Sequence, residues 1–367
     1  MKIRLFASLF FAPLLHAAVT ISQPVTLRDG MLGTRGAFNA HALIAQSGGT
    51  FAVAWTETGD DRLDHLFIAP LASLYSALDT TRMVDAGSIA SGSTPYITSG
   101  GSYYAVSYTA TDLTRRVRLY DRDLAPVTAS IIVPNTVDTM QMIWSGHDFI
   151  LPGTPPLNFF NATGFRSAAT ILDTSQFQIA TVKAGAALPD GSSALVLTWP
   201  VYGCFDICGA AAVPLTAIAL DDAHQTQRTT LLSSAIYPPS AAIGSSSSGF
   251  LVVWPNVMTQ TATIFDANGA VKATIPLEAF LDLQHVSARA LIAGDGDEWL
   301  IDTNGKLYQI EGTAIASTTA APKAAQLIRT GPGSYVAIYV ESDDAIHARI
   351  QLLRITTQAQ RTRGSRH

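Results

Sequence analysis

The sequence predicts an all-β protein assembled from about seven copies of one supersecondary unit. Two observations support this prediction. A strongly apolar segment that follows a glycine-containing turn recurs along the chain, and successive copies end roughly 47 residues apart on average. Because a repeating unit of this size buries its apolar surface against its neighbours, the repeat decides the fold class before any local pattern does.

The repeated segment is a short turn followed by an apolar strand that ends in a large side chain. The clearest copies read SGGTFAVAW at residues 47–55 and SGFLVVW at residues 248–254. The other copies, of which the last two are weaker, lie at residues 100–108, 190–199, 331–339, 145–151 and 294–301. Apolar strands with aromatic ends bounded by Gly and Ser are typical of β-structure rather than helix.

The side-chain pattern of these strands predicts burial on both faces. Phe51, Val53 and Trp55 share one face of a strand, and Ala52 and Ala54 share the other. In a propeller, each blade is covered by a neighbour on both sides, and four-stranded blades run about 40–50 residues. We therefore predict a β-propeller of seven four-stranded blades. Six or eight blades, or tandem β-sandwiches, are the alternatives.

The aromatic residues that end these strands have two interpretations. They could stack against sugars, or they could pack between blades. Because they recur once per repeat at the same position, we interpret Trp55, Tyr108, Trp199, Trp254 and Tyr339 as core.

The last repeat predicts how the ring closes. Its strands at residues 325–328, 335–340 and 346–355 leave no fourth strand, and residues 19–27 have no hairpin partner of their own. Pairing this N-terminal strand as the outer strand of the last blade would remove an exposed sheet edge.

This pattern resembles the exported bacterial β-propeller repeat proteins over nearly the whole chain, as a likeness of architecture. The Gly-His and Trp-Asp pairs of WD40 repeats are absent. The segment at residues 294–299, GDGDEW, approaches a sialidase Asp-box but lacks its Ser and Thr.

The N-terminus has the pattern of a secretory signal peptide. Lys2 and Arg4 precede an apolar run at residues 5–15, and small residues follow, so cleavage is expected after Ala17 or Ala18. The protein is therefore expected to be exported to the periplasm or the exterior. No later apolar run is long enough for a membrane span. We expect one domain at residues 19–355 and a basic, flexible tail at residues 356–367.

The composition of the chain restricts the classes of partner and cofactor that it is expected to bind. The formal net charge is −5 and only 14% of residues are charged, which argues against nucleic acid, since nucleic-acid binding needs a basic stripe. Cys204 and Cys208 have no nearby His or Cys with zinc-site spacing. In an oxidising compartment we expect them to form a local disulfide. No motif for a metal or a cofactor is found, and nothing in the sequence selects an oligomeric state.

Candidate ligand-binding residues collect in loops predicted to share one rim of the ring. The loops between the second and third strands of each blade and the connections between blades open on the same side. The candidates are Asp61, Asp64, His65, Asp112, Arg115, Asp206, His285, Asp343 and Asp344. Such side chains could bind a cation or polar ligand or act as an acid–base pair. The alternative is that they are polar because exposed loops contact water.

These features favour a secreted or periplasmic binding module for a protein or glycan ligand. A polysaccharide-active enzyme, with rim carboxylates as acid and base, is the first alternative. A structural component of the cell surface is the second. No catalytic motif is present, so an enzyme is the less favoured interpretation.

Overall fold

The structure, a computed structural model, describes most of the chain after the predicted signal peptide. The described residues are 19–31, 42–59, 61–133, 142–151, 158–167, 181–188, 190–198, 201–203, 209–222, 225–235, 241–256, 259–279, 290–303, 305–322, 324–342 and 347–357. They form seven antiparallel sheets arranged as the blades of a β-propeller, which confirms the predicted fold class.

In blades 1 to 6 the main strands run from innermost to outermost in chain order. Blades 1 and 2 contain β3 (Ala42–Ser47), β4 (Thr50–Thr58), β5 (Asp64–Leu71), β6 (Val84–Ile89), β7 (Tyr96–Gly100), β8 (Tyr103–Thr109), β9 (Arg115–Asp121) and β10 (Ile131–Ile132). Blades 3 and 4 contain β11 (Ile143–Trp144), β12 (Phe149–Leu151), β13 (Asn158–Asn161), β14 (Gly164–Ser167), β15 (Thr181–Ala187), β16 (Ser193–Thr198), β17 (Val201–Gly203), β18 (Gly209–Leu220) and β19 (Thr226–Ala235). Blades 5 and 6 contain β20 (Ala242–Ser246), β21 (Gly249–Asn256), β22 (Thr259–Asp266), β23 (Val271–Ala279), β24 (Leu291–Asp295), β25 (Glu298–Thr303), β26 (Lys306–Glu311) and β27 (Ala314–Ala320).

Blade 7 combines the two ends of the chain. It contains β28 (Gln326–Gly331), β29 (Ser334–Ser342) and β30 (His347–Thr356), and its outer edge is formed by β2 (Val25–Met31) and β1 (Thr20–Ile21). Both N-terminal strands pair antiparallel with β30, with Val25 opposite Leu352 and Thr20 opposite Thr356. The predicted closure by the N-terminal strand is thus confirmed.

The innermost strands of successive blades lie beside one another all the way round. β28 of blade 7 contacts β3 of blade 1, so the ring is closed. At this junction the Ile44 amide donates to Gln326 Oε1 at 2.6 Å. Between blades 1 and 2, Ser47 Oγ donates to the Gly101 carbonyl at 3.1 Å, and Ser248 Oγ makes the equivalent bond to Gly296 between blades 5 and 6 at 2.6 Å.

Both faces of β4, the second strand of blade 1, are covered by neighbouring blades, which explains why both faces are apolar. Val53 and Trp55 pack with Val336 of blade 7, whereas Ala52 and Ala54 pack in a separate cluster with residues of blade 2. The alternation predicted from the sequence is therefore confirmed.

The strand-end aromatics are core residues where the structure describes them. At most 8% of each side chain is exposed for Trp55, Tyr108, Trp254 and Tyr339. Trp199 lies outside the described residues.

Carboxylate-capped turns connect the outer strands. Asp266 Oδ1 accepts from the Asn268 and Ala270 amides, and Gly269 takes a φ of +78°. A left-handed residue is needed at this point of the turn, and glycine adopts it without a steric penalty.

Three details differ from the simple repeat. The outer strand of blade 2 is only Ile131–Ile132, and upstream of it the Leu119 amide donates to Thr128 Oγ1 instead of to a strand carbonyl. β17 adds a hairpin to blade 4 by pairing with the long β18. β30 continues to Thr356, one residue past the predicted domain end, and Thr357 is buried.

The described residues contain one short 3-10 helix, Thr80–Arg82, in the loop between β5 and β6. Among these residues no helix is long and apolar enough to cross a membrane.

Candidate functional site

The two edges of the ring carry different loops. One edge is formed by the loops between the second and third strands of each blade and by the connections between blades, and we call this edge the upper rim. The lower rim carries the remaining hairpin turns. In the described part of the chain, the upper rim includes the hairpins at residues 59–63, without residue 60, and 110–114, and the connection at residues 90–95.

The structure describes five of the nine predicted ligand-binding residues, and all five belong to blades 1 and 2. The other four, and the two cysteines of the predicted disulfide, lie outside the described residues: Asp206, His285, Asp343, Asp344, Cys204 and Cys208.

His65 is the centre of the blade 1 group. Its Nδ1 lies 2.8 Å from Asp85 Oδ2, and its Nε2 lies 3.0 and 3.1 Å from the two oxygens of Asp61. Only 15% of the His65 side chain is exposed, and its ring stacks against Phe67. Asp64, the next residue back, accepts from Thr58 Oγ1 across the strand pair at 3.0 Å.

These contacts set the pKa of the imidazole. Burial lowers the pKa of His65, but the hydrogen bonds and charges of Asp61 and Asp85 outweigh it, so the pKa is raised above 6.5. The Leu63 amide and the hydrogen bond to His65 lower the pKa of the Asp61 carboxyl. Each ring nitrogen of His65 thus faces a carboxylate, and these carboxylates favour the protonated form of the ring.

The blade 2 hairpin holds Asp112 in a different way. Thr114 Oγ1 and the Thr114 amide donate to Asp112, and Arg116 makes an ion pair with it at 2.6 Å. These bonds lower the pKa of Asp112 to about 2. Arg115 departs from the expected exposed position, because it is the first residue of β9, is buried, and donates to Ser107 Oγ at 3.1 Å. Asp112 therefore shapes the hairpin, whereas the Arg115 side chain lies in the interior beside Ser107 and over the Tyr96 ring.

An exposed leucine stands at the tip of each hairpin. Leu113 is 77% exposed and has a φ of +62°, and Leu63 is 43% exposed beside Arg62, which has a φ of +65°. A bulky non-glycine residue rarely adopts the left-handed region, because its Cβ crowds the backbone. Neither leucine was predicted as a site residue, although an apolar residue inside a run of Asp, Thr and Arg is a usable signal.

Leu124 provides an internal comparison for Leu113. It occupies the same hairpin position, with a φ of +64° and the same pair of backbone hydrogen bonds around the turn. Its side chain, however, is only 2% exposed and packs in the core between blades 1 and 2. Burial of the Leu124 side chain in the core offsets the energetic cost of its left-handed backbone. Leu113 gains no such stabilisation, because its side chain is exposed.

A second ionic group joins the N-terminal strand to blade 1. Arg28 of β2 makes a two-pronged bond to Glu57, with Nη2 2.6 Å from Oε2, and its guanidinium lies 5.2 Å from the centre of the Trp55 ring. Trp55 Nε1 also donates to Glu57 Oε2 at 3.0 Å. The sequence analysis did not predict this contact, because β2 and β4 meet only when the ring closes.

The channel face offers little acid–base chemistry in the described residues. Across the described innermost strands the charged side chains are Lys183, Asp295 and Arg329. Asp295 is ion-paired with Arg329 at 2.8 Å and accepts from the Gly333 amide. The described innermost strands thus supply a single carboxylate, where glycoside cleavage needs two.

Glu298 is a buried carboxylate that the sequence analysis did not predict. It lies near the lower rim between blades 6 and 7, where it accepts from Tyr335 Oη at 2.8 Å and from Thr357 Oγ1 at 2.8 Å. Burial is the main cause that raises the pKa of Glu298, and it also raises the pKa of Tyr335. The only indication of a buried carboxylate in the sequence was that Glu298 directly precedes an apolar run.

The raised pKa of Glu298 predicts a pH-dependent stability. Protonated Glu298 stabilises the fold fully below pH 4.5, and this contribution is lost as the pH rises through the folded-state pKa. We expect Glu298→Gln, which keeps an acceptor for both hydroxyls, to gain stability relative to the wild type as the pH rises from 4 to 8. Urea unfolding at several pH values measures the difference, and a difference that stays constant with pH would contradict it. Asp222→Asn, at an exposed position after β18 in blade 4 and far from Glu298, serves as control.

No group of three or more potential metal ligands occurs among the residues that the structure describes.

No protein-family model matches the chain, and no curated protein matches its sequence. The fold does match solved propellers. The WD40 domain of Toxoplasma gondii coronin has a TM-score of 0.56 at 11% identity, over 93% of this chain and 86% of that one. The Dos1 propeller has a TM-score of 0.51 at 9% identity, over 91% and 95%. At such low identity these likenesses show the fold alone.

Proposed function

We propose that this chain is an exported β-propeller that binds a partner protein through the upper rim of blades 1 and 2. The observation that carries the proposal is Leu113, an apolar side chain held in solvent by a strained backbone. A left-handed residue with a Cβ costs about 1–2 kcal/mol, and an exposed leucine contributes little burial in return. The turn needs a left-handed residue at this position, as at Gly269, but it does not need a leucine there. Strained residues that persist in this way cluster at binding sites.

The chemistry around Leu113 favours a protein over a glycan. Leu63 presents a second apolar tip on the neighbouring blade. The Asp112–Arg116 ion pair lies at the base of the Leu113 hairpin. Apolar contacts surrounded by polar and charged groups are the usual composition of a protein–protein interface. Sugar sites rely instead on aromatic platforms, and the strand-end aromatics described here are buried.

A binding role is also favoured over an enzyme. The described innermost strands provide one carboxylate, already paired with Arg329. On the upper rim, the carboxylates of Asp61 and Asp85 are bonded to His65 in the outer half of blade 1, away from the channel.

Export is the part of the proposal that rests on residues 1–18. An oxidising compartment would allow Cys204 and Cys208 to pair. The register of β17 and β18 supports this, because the last strand pair is Gly203 with Gly209, immediately outside the two cysteines.

The proposal predicts opposite effects of one substitution on stability and on binding. Leu113→Gly relieves the strained φ, so we expect its free energy of unfolding to equal that of the wild type or to exceed it by up to about 1 kcal/mol. Partner affinity should fall about ten-fold or more, because burying a leucine is worth about 1.5–3 kcal/mol. Affinity capture from the envelope and medium of the source cells, followed by titration of the captured protein, measures this.

Two variants control the experiment. Leu124→Gly removes a leucine from the same backbone conformation but from the core, so it should lower stability instead. Leu231→Asp changes a leucine that is 60% exposed on the outer strand of blade 4 and should leave capture unchanged. Unchanged capture by Leu63→Asp/Leu113→Asp, or binding to a glycan array in place of a protein, would refute the proposed interface.

A further inference from the structure

The imidazole of His65 connects two elements of blade 1. Asp61 belongs to the upper-rim hairpin at residues 59–63, and Asp85 belongs to the outer strand β6. Both ring nitrogens face carboxylate oxygens within 3.1 Å. A neutral imidazole has one N–H donor and one acceptor nitrogen, so it can satisfy only one of these carboxylates. The observed geometry therefore fits the protonated ring, which donates to both.

The other charged groups near the ring do not replace this bridge. Glu57 stands directly opposite His65 on β4, but its carboxylate is bonded to Arg28 of β2. Asp64, the preceding residue on β5, accepts from Thr58, and Arg62 lies in the hairpin itself. On β6, Ser88 Oγ lies 3.5 Å from Nε2, a weak contact compared with Asp61. The charge of the imidazolium is thus matched by Asp61 and Asp85.

The two carboxylates are anchored differently. Asp85 also accepts from the Gly87 amide at 2.8 Å, at a bulge in β6 where the strand is part of the sheet. Asp61 accepts from the Leu63 amide at 3.0 Å, a bond inside the exposed hairpin. When the ring loses its proton, one carboxylate has to give up its hydrogen bond. Apart from His65, Asp61 is bonded among the described residues only within its own hairpin, whereas Asp85 belongs to a strand paired in the sheet, so Asp61 is the partner that leaves.

We propose that His65 is a proton-controlled latch, in which the imidazolium holds Asp61 and so fixes the Leu63 hairpin against β6, and loss of the proton releases that hairpin. The regulatory meaning of the latch rests on the proposed binding role of the upper rim, since Leu63 is one of its two apolar tips. The latch itself is a property of the protein alone.

The direction of the pH effect follows from the raised pKa of His65. The stabilisation from the two carboxylates is fully present below pH 6.5 and is lost as the pH rises through the folded-state pKa. The hairpin is therefore fixed in acidic solution and released in alkaline solution.

The test is an NMR titration of the protein lacking residues 1–18, from pH 5 to 9. We expect the His65 ring to titrate with a midpoint above 6.5 and the Leu63 amide to shift with the same midpoint. In Asp61→Asn the His65 midpoint should fall and the Leu63 shift should disappear. Asp112→Asn alters the corresponding hairpin of blade 2, which has no histidine, and should leave both midpoints unchanged.

The outcomes separate the latch from the binding proposal. A Leu63 amide that stays unchanged through the His65 transition, or a His65 midpoint at or below 6.5, overturns the latch. His65→Gln should abolish the titration of the Leu63 amide. If this variant does not fold, Asp61→Asn and Asp85→Asn, each of which should lower the His65 midpoint, still test the latch. Coupled titration together with unchanged partner capture by Leu63→Asp/Leu113→Asp would leave the latch standing and refute the binding role.

Discussion

Deletion of residues 19–31 is expected to cause the largest loss of stability of any change considered for this protein. These residues form β1 and β2, which cover the free edge of β30. Leu27 is 2% exposed and packs in the cluster shared by blades 7 and 1, and its carbonyl accepts from the Leu78 amide of blade 1. The deletion removes the buried Leu27 side chain, the Arg28–Glu57 ion pair and all the backbone hydrogen bonds between β2 and β30. Blade 7 is then left with an unpaired edge.

The single substitution Leu27→Ala sets the lower limit of this effect. A buried leucine truncated to alanine costs about 2–5 kcal/mol, and the deletion should cost more. Chemical unfolding of both variants measures the losses, with Thr20→Ala on the exposed side of β1 as a control expected within about 0.5 kcal/mol.

A synthetic peptide of residues 19–31 sharpens the deletion experiment. Because β2 pairs with β30 through backbone hydrogen bonds, the peptide should bind the deleted protein and restore part of its thermal stability. If the deletion left the melting temperature unchanged, the ring would have to be held closed without its N-terminal strand.

Trp254→Ala is expected to have the second largest effect, and it should act on folding rather than on binding. The ring is 7% exposed, packs between blades 4 and 5, and donates from Nε1 to Thr263 Oγ1 at 3.0 Å. Truncating a buried aromatic costs about 3–5 kcal/mol. Trp254→Phe keeps most of the packing and loses the hydrogen bond, so it should cost about 1 kcal/mol from that bond.

The measurement combines unfolding with partner capture. Val271→Ala in the same blade removes a side chain that is 50% exposed and should change stability by less than about 0.5 kcal/mol. A Trp254→Ala protein with native stability and lost affinity would show that the strand-end aromatics bind ligand after all.

Much of the fold follows from local patterns in the sequence. The two weakest copies of the repeat, at residues 145–151 and 294–301, contain β12 and β25 as second strands of blades 3 and 6. They could be recognised because a turn followed by a two-sided apolar strand is a local pattern. The N-terminal closing strand was predicted by elimination, since the last repeat lacked a fourth strand and residues 19–27 belonged to no repeat.

The candidate site was predicted only in part. The loops that carry Asp61 and Asp112 were placed on one rim, because strand order fixes which loops share an edge. His65 was predicted in the same loop as Asp61, but it is the second residue of β5. The partner of His65 on β6 and the burial of Arg115 were not predicted. Both depend on which side chains face each other after the strands pair, and a bulge in β6 next to Asp85 shifts that register.

The sequence by itself determined the all-β class and predicted about seven repeats and the closing strand, because strand period, turn chemistry and repeat spacing are properties of short segments. Only the tertiary structure decided that Arg28 meets Glu57, that Glu298 is buried beneath Tyr335 and Thr357, and that Leu113 is exposed while Leu124 is not. These contacts join blades or depend on burial. Residues far apart in the chain come together only when the ring closes, and no local pattern encodes which of them will meet.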